Sequence, residues 1–181
     1  DEVTRSVAAS IQTHVDLAEG AASTSSHTTN FKVRDLVARA WIRTYVHTSE
    51  AAAESSELVE RAILVEPMNP FAHRVRAAVF FDRIWLGEIP LDAAARSKAV
   101  ELAKTALRLA PRHEHAHLIM AWAWAYAEER LEEAILECER GLEINPSCSI
   151  LYGNVGPYLA APGRPQEAFQ ACSLSLRLTP A

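Results

Sequence analysis

Residues 133–146, Glu133-Ala134-Ile135-Leu136-Glu137-Cys138-Glu139-Arg140-Gly141-Leu142-Glu143-Ile144-Asn145-Pro146, decide how this chain folds. Ala134, Cys138 and Gly141 stand four and three residues apart, so in a helix these small side chains share one face and let a neighbouring helix approach closely. Pro146 then ends the helix, because proline has no amide hydrogen and biases the residue before it away from helical angles. The closing motif Gly141-Leu142-Glu143-Ile144-Asn145-Pro146 recurs as Ala106-Leu107-Arg108-Leu109-Ala110-Pro111, as Ser175-Leu176-Arg177-Leu178-Thr179-Pro180 and as Ala62-Ile63-Leu64-Val65-Glu66-Pro67.

The last three prolines of the series are 35 and 34 residues apart, and Pro67 precedes Pro111 by 44 residues, a repeat with an insertion of ten. Twelve positions before each proline is a small residue, Ser55, Ala99, Ala134 or Ala168, and four positions later come Val59, Ala103, Cys138 and Cys172 on the same face. A period of about 34 residues is that of a helix-turn-helix repeat, and from here to Pro180 the chain resembles the tetratricopeptide repeat (TPR) family. The resemblance implies an all-α fold, a right-handed superhelix of antiparallel helix pairs, with four repeats at 31–67, 70–111, 114–146 and 149–180. First helices are expected near 31–47, 70–86, 114–128 and 149–160, and second helices near 51–66, 91–110, 131–145 and 165–179. The inner sites of the third repeat then correspond to His117, Met120, Ala121 and Trp124. Leu86-Gly87-Glu88-Ile89-Pro90 marks the enlarged loop, and Pro157, Pro162 and Pro165 predict a kinked or short last repeat.

Ahead of the repeats, Val3, Val7, Ile11 and Val15 form an apolar stripe that predicts a capping helix over Asp1–Ala18. Gly20–Asn30, rich in serine, threonine and alanine, reads as a polar linker, so 1–30 and 31–181 form two organisational units. With Arg39-Ala40-Trp41 and the Glu60–Pro67 motif, this arrangement resembles the region that follows the catalytic domain of bacterial class III adenylate or guanylate cyclases, and that of some winged-helix regulators. The start at Asp1 and the stop at Ala181 fit a piece of a longer protein.

Eighteen basic and twenty-three acidic residues give a net charge of -5 with no basic cluster, which points away from nucleic acid and anionic membranes. The longest apolar run, Leu118 to Ala127, is about half of what a bilayer span needs. Three cysteines without CxxC spacing predict neither a disulfide framework nor a structural zinc site, and a cytoplasmic location fits. Cys138 and Cys172 are expected to pack as small hydrophobes, and Cys148, in a turn, to be the most exposed.

His113-Glu114-His115-Ala116-His117 satisfies the HExxH pattern, in which two histidines on one helical face hold zinc and the glutamate acts on bound water. In the repeat register His113 falls in a turn and His117 at an inward packing site, so no metal, cofactor or catalytic residue is assigned, and a zinc hydrolase is the weakest of three readings. Glu128, Glu129, Glu132 and Glu133 sit around a helix start, where the helix dipole favours carboxylates.

The first reading is a non-catalytic module that binds a protein or peptide with apolar anchors. The family resemblance places its site on a concave surface lined by first helices, with Arg34, Val37, Trp41, Tyr45, Phe71, Arg74, Ala78, Phe81, His115, Leu118, Trp122 and Tyr126 facing it. The family's carboxylate clamp is not expected, since Val37, Arg74, Leu118 and Trp122 replace its lysines and asparagines. The second reading is self-association as a homodimer through an open last face near Leu174 and Leu178.

Overall fold

A computed structural model of the protein describes residues 27–179, which form eight helices: α1 (His27–Arg43), α2 (Ser49–Val65), α3 (Pro70–Trp85), α4 (Ala93–Leu109), α5 (Glu114–Trp122), α6 (Leu131–Ile144), α7 (Ser149–Ala160) and α8 (Pro165–Leu178). The amphipathic stripe expected over Asp1–Ala18 lies outside the described residues. α1 opens at His27, four residues inside the stretch read as linker.

Local chemistry explains where α2, α3 and α4 begin. The side chains of Thr48, Asn69 and Asp92 accept hydrogen bonds from the backbone N–H of Ala51, Ala72 and Ala95, each satisfying a donor that the first turn of a helix leaves free. The ends are equally regular. α2, α4, α6 and α8 stop at Val65, Leu109, Ile144 and Leu178, two residues before the proline in each case, because the residue preceding proline is pushed out of the helical region.

Each hairpin packs its two helices together, each second helix packs on the next first helix, and α1 touches α3 as α3 touches α5. The buried side chains therefore fall into three successive layers. One holds Val33, Val37, Leu58, Val59, Val75 and Val79; the second holds Phe81, Ala99, Leu102, Ala103, Ile119 and Met120; the third holds Leu118, Ile135, Cys138, Leu151, Val155 and Leu159. Trp41 packs against the first two layers, and Trp122 and Trp124 against the last two. Full burial of one such aliphatic side chain contributes about 1.5–3 kcal/mol, so each layer is a main source of stability for the repeats on either side of it.

Departures from expectation have local causes. α1 ends at Arg43 rather than near 47, and the chain turns through Thr44–Val46 to His47, whose φ of 51° lies in the left-handed region. The His47 ring contacts the buried Asp82 carboxylate of α3, with Nδ1 2.7 Å from Oδ1, which ties this corner to the second repeat. α5 gives way at Ala123 to one π-helical turn over Ala123–Ala127, in which Glu128 N–H bonds to Ala123 C=O. The Arg96 guanidinium reaches across from α4 to hold this end, donating to the Ala127 carbonyl at 2.8 Å and pairing with Glu129 at 3.0 Å. α7 runs through Pro157 to Ala160. Cys148 is buried and Cys172 exposed, the reverse of the expected order: the turn carrying Cys148 is roofed by the layer that includes Leu118 and Leu151, whereas no helix among the described residues covers α8 from outside. Burial pushes the Cys138 and Cys148 thiols up to about 12 and about 11, so both stay protonated and inert.

Gly141 shows how tight the hairpin contacts are. A Cβ placed there would lie 2.7 Å from Cδ1 of Leu151 and 3.2 Å from the Glu114 carbonyl oxygen, and Leu151 is itself fully buried. Gly141→Val is therefore expected to lower stability by about 2 kcal/mol through overpacking, read as a reduced urea midpoint with an unchanged slope.

Candidate functional site

The first helices carry two rows of aromatic rings. The first row lies over the starts of α3 and α5. Trp41 makes edge contacts with Tyr45 and His115 at ring-centre distances of 5.3 and 5.4 Å, and Phe71 meets His113 at 5.6 Å. The Arg74 guanidinium lies 4.4 Å from the Trp41 ring centre and 5.6 Å from that of Phe71. Arg74 and His115 are buried, so this cation is held inside the fold, where attraction to the ring face counts for more than it does in water.

The second row lies near the ends of the same helices. Trp85 meets Trp122 at 4.9 Å and Tyr126 at 5.7 Å, both nearly perpendicular, and Tyr126 meets Tyr158 of α7 at 6.3 Å. Phe81 backs the row from the core, in contact with Trp85 and Trp122. Trp122 Nε1–H donates to Asn154 Oδ1 at 2.8 Å, and Asn154 Nδ2–H donates to the Ile150 carbonyl at 2.8 Å, which fixes the indole plane across two repeats. Trp85 and Tyr126 remain 44% and 39% exposed, so their outer faces are open to a ligand. Edge-to-face pairs contribute about 0.5–1.5 kcal/mol each beyond their burial; the row is thus rigid before anything binds.

Of the residues singled out from the sequence, Arg34, Tyr45 and Tyr126 are exposed, and Trp41, Phe71 and Trp122 are half-buried. Val37, Arg74, Ala78, Phe81, His115 and Leu118 are buried and serve as the floor beneath the rings. Trp85 and Tyr158 were not anticipated. Trp85 follows Phe71, Arg74, Ala78 and Phe81 at helical spacing, so one more turn of the same stripe reaches it. Tyr158 follows Pro157, which disguised the register of α7.

The histidine string resolves differently from a zinc site. His113 is the N-cap of α5, its Nδ1 accepting the His115 backbone N–H, while Glu114 Oε1 lies 3.1 Å from His115 Nδ1. His113, Glu114 and His115 converge, with one ligand-type atom from each within 4.8 Å of the others. Several features oppose a cation there: the His113 lone pair is engaged, the helix start carries partial positive charge, and the Arg74 guanidinium acts on the same imidazole. His117 points elsewhere. Its Nδ1 lies 2.7 Å from Glu137 Oε2 and its Nε2 3.0 Å from the Pro111 carbonyl oxygen, two acceptors that only the protonated ring can serve together. The HExxH pair therefore does not assemble.

These surroundings set opposite titrations. Burial, reinforced by Arg74, lowers His113 to about 3, so it stays neutral in the fold. The Glu137 hydrogen bond raises His117, whose two ring nitrogens both face acceptors, and burial opposes the shift only in part. Burial raises Glu137, but His117 and Arg140 outweigh it and the net shift is downward.

This arrangement, eight antiparallel helices in four pairs with a shared first-helix face, makes the chain an all-α TPR solenoid. Comparison with solved structures agrees. The crystal structure of MamA is similar with a TM-score of 0.55 at 14% identity, over 81% of this chain and 77% of that one. A form of MamA from Desulfovibrio magneticus RS-1 gives 0.55 at 12% identity, over 81% and 75%. YrrB, described as a TPR protein with an unusual peptide-binding site, is less alike, with a TM-score of 0.44 at 14% identity over 80% and 85%. No family model matches the sequence, and neither does any curated protein.

The titrations give a test with two signs. Between about pH 6.5 and 3 the unfolded chain binds a proton at His113 that the folded chain refuses, so stability falls as pH drops through that window. The contribution of His117, raised from 6.5, is fully present below pH 6.5 and is lost as pH rises through its folded value. His113→Asn, which keeps a capping side chain, is expected to flatten the acid slope, and His117→Gln to flatten the alkaline one, in urea unfolding repeated at closely spaced pH values.

Proposed function

We propose that this domain is a non-catalytic protein-interaction module whose first-helix face takes a peptide or helix with apolar anchors. The observation that carries the reading is the row Trp85, Trp122, Tyr126 and Tyr158: aromatic rings locked edge to face, backed by Phe81 and Asn154, with two outer faces open. Rigid, partly exposed tryptophan and tyrosine are the residue types that most often dominate binding energy, because they bury a large area with little conformational entropy to lose. Arg34 and Phe31, also exposed, extend the face along α1, on the same helical stripe as Trp41. The usual use of the concave side in stacked helical repeats supports the same assignment.

The resemblance of the region before Pro67 to the segment following class III cyclase domains supports a bacterial signalling parent, for which the module would recruit a partner. The mildly acidic charge supports a protein ligand over nucleic acid or lipid. Among the described residues no helix is long and apolar enough to cross a membrane.

A Trp85→Ala, Tyr126→Ala double variant is expected to remain folded by circular dichroism, since both side chains are partly exposed, and to lose about 2 kcal/mol or more of partner affinity. Capture from source-cell lysate followed by titration of the captured protein measures this; equal capture by both forms would remove the ring row from the binding site.

A further inference from the structure

We propose that the side of α1 carrying Ala38 and Ile42 is the seat of the chain's own residues 1–18, which lie on it as a helix in the place that a preceding second helix takes in each later repeat. This surface is distinct from the ring rows, and the repeat register carries the inference. In every hairpin a small residue of the first helix meets the small residue of the second. The Ser55 hydroxyl donates to the Ala40 carbonyl at 2.8 Å, Ala77 shares a buried cluster with Ala99, and Ala121 shares one with Ala134. A Cβ on Gly156 would lie 3.3 Å from the Ala168 carbonyl oxygen. Ala40, Ala77, Ala121 and Gly156 are therefore equivalent.

Five residues before, two before and two after these anchors stand Ala72, Val75 and Val79 in α3, Ala116, Ile119 and Ala123 in α5, and Leu151, Asn154 and Tyr158 in α7. All but Asn154 are buried. Val75 and Val79 share their layer with Val59 and Ala62 of α2, Ile119 and Ala123 with Leu102 and Ala103 of α4, and Leu151 and Tyr158 with Ile135 and Cys138 of α6. The same positions of α1 are Asp35, Ala38 and Ile42. Asp35 is exposed and paired with Arg39 of its own helix at 3.7 Å, Ala38 is half-buried, and Ile42 is 65% exposed. Phe31, also exposed, borders them one turn earlier. No helix among the described residues covers this stripe.

Pattern and tether select residues 1–18 as the occupant. Val3, Val7, Ile11 and Val15 recur at helical spacing, over a stretch as long as the second helices that fill the later seats. The chain enters α1 at His27, so only residues 19–26 separate the stretch from its seat. Eight residues span up to about 26 Å, and four suffice to join α2 to α3, α4 to α5 and α6 to α7. A segment on so short a linker meets its seat at an effective concentration on the order of millimolar, above that of a second copy in dilute solution.

The test uses the full chain carrying Cys172→Ser and Ile42→Cys, which leaves one thiol besides the buried Cys138 and Cys148. That thiol is expected to react with a maleimide at least about tenfold more slowly than in the same chain carrying Val7→Asp, Ile11→Asp as well, both chains showing a cooperative urea transition. Hydrogen exchange of the unaltered chain checks the other side of the contact. Amides over residues 3–17 should be protected, and Ile42→Asp, which replaces an exposed side chain of α1, should remove that protection. Labelling that is equally fast with and without the N-terminal pair of substitutions overturns the proposal, as do unprotected amides over 3–17 in the unaltered chain or protection that survives Ile42→Asp. Labelling that is slow in both chains overturns it too, and sedimentation at two concentrations then shows whether a second copy covers the seat.

Discussion

The structure depends on how closely two helices can approach. Ala99, Ala103 and Ala106 in one hairpin, and Ala134, Cys138 and Gly141 in the next, are fully buried or nearly so because the facing helix runs directly over them. A large side chain at any of these positions would separate the hairpin and, with it, the layer that the hairpin shares with its neighbour. Since each repeat touches little beyond the next one, stability is approximately a sum of such layers. The tryptophans counter that independence. Trp41, Trp122 and Trp124 each belong to two adjoining layers, so loosening one layer weakens the next.

Much of this was legible in the residues. The four closing motifs marked where second helices end, since proline lacks the amide hydrogen and biases the residue before it away from helical angles. The small residues at fixed distances before those prolines placed the hairpin contacts. What escaped notice was set by packing partners distant in sequence. The burial of Cys148 depends on the layer around Leu118 and Leu151, and the exposure of Cys172 on the lack of a helix beyond α8 among the described residues. Cys138 and Cys172, at identical register positions, therefore met opposite environments.

The candidate site was legible only in part for a related reason. The family register grouped Phe71, Arg74 and Phe81 on one face, but register does not say how deep a side chain lies. Arg74 and Phe81 became a floor while Trp85, one turn further on, became the surface. Likewise the histidine string matched a metal motif letter for letter. The fold split it, with His113 capping a helix and His117 bridging Glu137 to the backbone of the preceding turn. Residue identity alone does not distinguish a ligand from a cap; the direction of each lone pair does.

The π-turn at Ala123–Ala127 has a consequence for the geometry of the whole face. An ordinary helix advances a side chain by 100° per residue, so a stripe drifts steadily around the axis. A turn holding one additional residue resets that phase once, without a break in the backbone and without a proline or glycine to mark it. Tyr126 is thereby offset from the direction it would otherwise take below Trp122, within reach of rings from both the preceding and the following first helix. In a repeat protein, where geometry is usually inherited unchanged from one unit to the next, a single phase slip lets one unit differ from its neighbours while keeping the stacking they share.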